Sequence, residues 1–123
     1  MHFSEILKTL TEKTGAIGSA VLAADGELVE AYPPPDSTEH AAINLIGAHH
    51  GIILGIAKDA TTRAGGLTAA RSVHIWTKNA RIAVIDLIEG YYLIIVLGRD
   101  IAMGRTTIAA KTAARLVEME ISR

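Results

Sequence analysis

Arg81 to Gly98 reads RIAVIDLIEGYYLIIVLG: two mostly apolar runs, Arg81 to Leu87 and Tyr91 to Leu97, separated by Glu89-Gly90. Both runs are short for a helix and rich in Ile and Val, so each reads as a strand. Both are apolar on the two faces instead of alternating apolar with polar residues, which places them centrally in a sheet with a layer above and a layer below. A sheet buried on two faces needs amphipathic elements on both sides, and the flanking sequence supplies them.

Upstream, Ser72 to Thr77 reads as a third strand of this set, with Lys78-Asn79-Ala80 as its turn. Ala16 to Ala23 has the composition of a buried strand. Asp25-Gly26 predicts a type I′ hairpin, whose two central residues take positive φ. The returning strand, Glu27 to Tyr32, is shorter and more polar, as a sheet edge is, and Pro33-Pro34-Pro35 ends it because proline cannot donate to a ladder.

Phe3, Ile6, Leu7 and Leu10 recur at helical spacing among charged residues, giving a first amphipathic helix closed by Gly15. A central helix starts near Asp36, which with Glu39 resembles a capping box, and ends at the latest at Gly65-Gly66. A final helix is predicted from about Arg105 to Ile121, with Ile108, Ala109, Ala113, Leu116 and Val117 inward. The order is αββαβββα. These elements predict an α/β fold of three layers, a five-stranded, mainly antiparallel sheet with helices on both faces, formed by residues 1–123 as a single domain.

The central helix is apolar around most of its circumference between Glu39 and Lys58. At about 100° per residue, Ala42, Leu45, Ile46, His49, Ile52, Ile53 and Ile56 form one stripe. Asn44, Gly47, Ala48, Gly51 and Gly55 form a second stripe of small side chains on roughly the opposite face. Glycine in a helix costs about 1 kcal/mol relative to alanine, so glycines in register imply the close approach of another backbone. The simplest such neighbour is the same helix of a second copy. The strand carrying His74 and Trp76 would otherwise be an open edge, so both segments point to a homodimer interface.

Composition narrows the chemistry. Twelve Lys and Arg stand against thirteen Asp and Glu, which gives no electrostatic reason to expect nucleic acid. The absence of cysteine removes disulfides, thiolate zinc sites and thiol nucleophiles. The opening residues show no signal-peptide pattern, and the uncharged stretch inside the central helix is short for a membrane span. The expectation is therefore a cytoplasmic protein without a span. His40, His49 and His50 share one helix but point in different directions, so they cannot converge on a metal. No G-x-x-x-x-G-K-[ST] phosphate loop and no dinucleotide fingerprint occur. None of the serines sits in a G-x-S-x-G context, although Ser19 falls in a strand. Asp86, near the end of a buried strand, reads as solvent-facing or turn-capping. Arg63, Arg71, Arg81, Arg99 and Arg105 cluster around loops, and none stands out as an arginine supplied to another protein's nucleotide. No catalytic residue, cofactor or metal site is expected.

The opening helix, the strand leading into AADGELVEAY, the long central helix, RIAVIDLIEGYYLIIVLG and the terminal KTAARLVEMEI helix together resemble the Roadblock family of dynein light chain type. The resemblance covers nearly the whole chain and implies a profilin-like fold. It also implies a dimer built by antiparallel central helices and edge pairing of the third strands. In function it implies a non-enzymatic regulator or scaffold of a small Ras-like GTPase, as activating or exchange-promoting partner. Two alternatives stand beside it: a small-ligand sensor module of similar shape, and an accessory subunit of a histidine-kinase system.

Overall fold

The computed structural model describes residues 2–33, 55–60, 63, 71–78 and 80–123. The chain runs α1 (Phe3–Thr14), β1 (Gly18–Leu22), β2 (Leu28–Tyr32), a helical stretch at residues 55–60 (α2), β3 (Ser72–Trp76), β4 (Ala80–Asp86), β5 (Tyr92–Gly98) and α3 (Met103–Ile121). The strands form one antiparallel sheet in the order β2-β1-β5-β4-β3. The continuously apolar run Tyr91 to Leu97 is thus the middle strand. The more polar runs lie at the two edges.

Alternation along β5 divides the core into two. Leu93, Ile95 and Leu97 point into a cluster with Ile6, Leu7 and Leu10 of α1 and Ala110, Ala113 and Val117 of α3. Tyr92, Ile94 and Val96 point the other way, among Ala20, Leu22, Ile82 and Val84. Leu93, Ile94, Ile95 and Leu97 are all 0% exposed, and burying each stabilises the fold by about 1.5–3 kcal/mol. Asp86 lies on the same side of β4 as Ile82 and Val84, and its Oδ1 accepts from Lys58 Nζ at 2.9 Å. α2 therefore sits on the face opposite α1 and α3, and the architecture is the three-layer, profilin-like α/β fold.

α1 ends as expected: Gly15 takes φ 73° and its N–H donates to Thr11 O. A buried polar contact ties this helix to the sheet, with Ser19 Oγ 2.7 Å from Thr11 Oγ1 and 3.3 Å from Leu7 O. Ser19 is 0% exposed, so its hydroxyl closes a structural network.

Three expectations change. The hairpin is not type I′, because only Gly26 has positive φ, 87°, and Asp25 does not. Ala23 N–H donates to Glu27 O and Gly26 N–H to Ala23 O, both at 2.9 Å, closing a three-residue loop. Such loops place one residue in the left-handed region, here Gly26; further along β2, Val29 is an extra residue between the pairs Val21–Glu30 and Leu22–Leu28. In α3 the inward line is Thr106, Ala110, Ala113 and Val117, whereas Ile108 is 72% exposed. These small residues let the helix lie close to the sheet, and Thr106 satisfies its buried hydroxyl by donating to Ala102 O at 3.0 Å. Ile56, assigned to the apolar stripe of the central helix, is 65% exposed.

The β4–β5 turn requires glycine. Gly90 has φ 81°, and a Cβ there would lie 2.9 Å from Ala24 Cβ. Two residues on, burial and secondarily the Asp25 carboxylate raise the Tyr92 phenol above its ordinary 10.0. A raised folded pKa gives stability that is fully present below the unfolded value and is lost as pH rises through the folded one. Denaturant melts should accordingly show an alkaline loss, beginning near pH 10, that is smaller in Tyr92→Phe than in the wild type. Equal losses in the two proteins would assign the alkaline decline to other groups.

Candidate functional site

The exposed surface of interest begins at β3. Its outer edge is unpaired among the described residues, and along the strand Ser72, His74 and Trp76 are exposed while Val73 and Ile75 are half-buried. The ladder fixes which backbone groups are free. Asp86 N–H donates to Arg71 O and Thr77 N–H to Ala80 O, both at 2.8 Å. Arg71, Val73, Ile75 and Thr77 therefore face β4, and the intervening residues direct their N–H and C=O groups outward. Ser72, His74 and Trp76 thus carry the groups available for pairing with another strand.

Trp76 is 67% exposed. The Arg81 guanidinium lies 4.3 Å from its ring centroid, and Arg81 Nη1 also donates to Ile101 O at 3.0 Å. Arg81, one of the arginines considered for delivery to a nucleotide, is thereby held in place as a brace under the tryptophan. Arg63 is likewise engaged, 3.0 Å from Asp59. Asp86 is neither solvent-facing nor a turn cap, because Lys58 pairs with it in a half-buried position. Sequence alone does not show this bridge, since its partners are 28 residues apart.

Of the residues assigned to a dimer interface, His74 and Trp76 sit together on the outer strand as expected. Gly55 lies on α2, where an added Cβ would meet nothing within 4 Å, so it faces open space within the protomer. Asn44, Gly47, Ala48 and Gly51 lie outside the described residues. Sequence reasoning missed a groove of about 430 Å³ between α3 and the face of β3 and β4 that carries His74 and Ile85. Its floor includes Ala83, Ile85 and Ala110, and its rim includes Arg71, Lys111 and Arg115. Among the described residues no group of His, Asp and Glu side chains is arranged to hold a metal ion. None of the described helices is long and apolar enough to cross a membrane.

The five-stranded antiparallel sheet, with α1 and α3 on one face and α2 on the other, defines the class: this is the fold of Roadblock/LC7 domains, related in shape to profilin. No protein-family model matches the sequence, and no curated protein matches it. Among solved structures, a Roadblock/LC7 domain from Streptomyces avermitilis superposes with a TM-score of 0.85 at 13% identity, covering 97% of each chain. Gliding protein MglB from Thermus thermophilus gives 0.82 at 12% identity, over 95% of this chain and 86% of that one. Profilin IB from Acanthamoeba castellanii gives 0.65 at 17% identity, over 97% and 98%. At these identities the likeness establishes the fold.

Proposed function

We propose that this chain is a single Roadblock-like unit that forms a cytoplasmic homodimer and regulates or scaffolds a small Ras-like GTPase without enzymatic activity of its own. The observation that carries the reading is the fold shared with gliding protein MglB over nearly the whole chain. The GTPase partner follows from the family resemblance of the sequence. Three features of the protomer are consistent with a binding role: an unpaired edge strand among the described residues, an exposed tryptophan on it, and Gly55 facing open space on α2. Two copies joined at that edge, with their central helices antiparallel, present one symmetric surface, on which a single asymmetric GTPase would form a two-to-one complex. The sensor alternative calls for a deep apolar pocket. The groove beside α3 instead lies at the surface under a cationic rim, which favours a macromolecular partner.

Pull-down and turnover assays with the Ras-like GTPases of the same genome test the proposal. The expected result is binding to one of them in at least one nucleotide state, with no GTP hydrolysis by the isolated protein. Failure to bind every such GTPase in both nucleotide states overturns the partner assignment. Hydrolysis by the isolated protein overturns the non-enzymatic one.

A further inference from the structure

We infer that the groove between α3 and the His74-bearing face of β3 and β4 is a docking site for an acidic, amphipathic segment of a partner protein. The groove, about 430 Å³, has an apolar floor that includes Ala83, Ile85, Ala110 and Ala114. Arg71 and His74 stand on the sheet side, Lys111 and Arg115 on the helix side. Two acidic residues also border it, and both carboxylates are engaged, that of Asp86 on the opposite face of the sheet. Asp86 is paired with Lys58 at 2.9 Å, and Glu118 Oε2 accepts the Ile88 N–H at 3.0 Å. Arg71, Lys111 and Arg115 make no ion pair among the described residues, so the rim keeps a surplus of positive charge over an apolar floor.

That combination selects its occupant. Lys111 and Arg115 are one helical turn apart, about 6 Å along the axis, a spacing that carboxylates one turn apart on a second helix match. Apolar side chains between those carboxylates would cover Ile85 and Ala114, the half-buried part of the floor. A nucleic acid is the poorer fit, because the patch is small and the whole chain carries a formal net charge of -1. The site belongs to one protomer and lies on the face of the sheet. Pairing through the β3 edge uses backbone groups in the plane of the sheet, so it leaves the groove open. The inference is independent of the proposed GTPase, and peptide and GTPase binding are read in separate titrations.

The test is fluorescence anisotropy with a labelled twelve-residue peptide of Glu, Leu and Ala, its twin carrying Lys in place of Glu, and a twelve-nucleotide oligo-dT. The expected result is saturable binding of the acidic peptide that weakens with salt and falls at least tenfold in Lys111→Glu/Arg115→Glu, with no binding of the basic twin. The milder Lys111→Gln/Arg115→Gln, with a circular dichroism melt like that of the wild type, should show a smaller loss in the same direction. Absence of binding by the acidic peptide, equal binding of both peptides, or an acidic-peptide affinity unchanged in both variants overturns the assignment. Tighter binding of oligo-dT than of the acidic peptide overturns it in favour of a polyanion site.

Discussion

Leu93→Ala is expected to lower the free energy of unfolding by about 3–5 kcal/mol. Leu93 is 0% exposed in the middle strand of the sheet, where it pairs with Val21 of β1 and Ile85 of β4 and packs in the cluster beneath α1 and α3. Strands on both sides and helices above leave little room for the site to collapse, which puts the cost toward the upper end of the range for leucine truncation. A domain of this size has only about 5–15 kcal/mol in total, so the melting temperature should fall by more than about 10 °C. Ile108→Ala is the matched comparison, because Ile108 is 72% exposed; its change should stay within about 0.5 kcal/mol. Denaturant melts of the two variants measure both values. Equal costs would mean that Ile108, not the line through Ala110, faces the core.

That comparison marks the boundary of what periodicity reveals. The strands of the core were legible because a run such as YYLIIVLG, apolar on both faces, has few places in a fold other than the middle of a sheet. The phase of α3 was harder, because a helix that packs through Ala110, Ala113 and a buried Thr106 hides its inward face among residues that hydropathy barely separates. Asp25-Gly26 correctly marked a hairpin, but the same dipeptide suits both a two-residue loop and a three-residue loop with a bulge. The closing pair Ala23–Glu27 decides between them, and it is a property of the pairing, not of the turn residues. The edge position of His74 and Trp76 was legible in outline. The groove was not, because it exists only where α3 crosses β3 and β4, segments about 30 residues apart in sequence.

His74→Pro is expected to convert the proposed dimer to monomer, with the apparent affinity between copies weakened about 100-fold or more. The hydrogen-bond pattern of β3 makes this substitution selective. Arg71 and Thr77 bond to β4, so His74, at the opposite parity, directs its N–H away from the sheet. Proline there removes no bond of the β3–β4 ladder, and proline is tolerated on edge strands with that orientation. Val73, the preceding residue, is already extended, the conformation that a following proline favours. In a symmetric strand pair the change strikes twice, removing one donor from each copy and placing a ring in each path of approach. Two lost hydrogen bonds at about 1–1.5 kcal/mol each amount to roughly 2–3 kcal/mol, near two decades in affinity before any steric term. Light scattering should give twice the 13.0 kDa chain mass for wild type and for His74→Ala, which keeps the backbone donor, and the single mass for His74→Pro. A His74→Pro protein that is folded by circular dichroism and still dimeric would exclude pairing through this edge and leave any association to the helices alone.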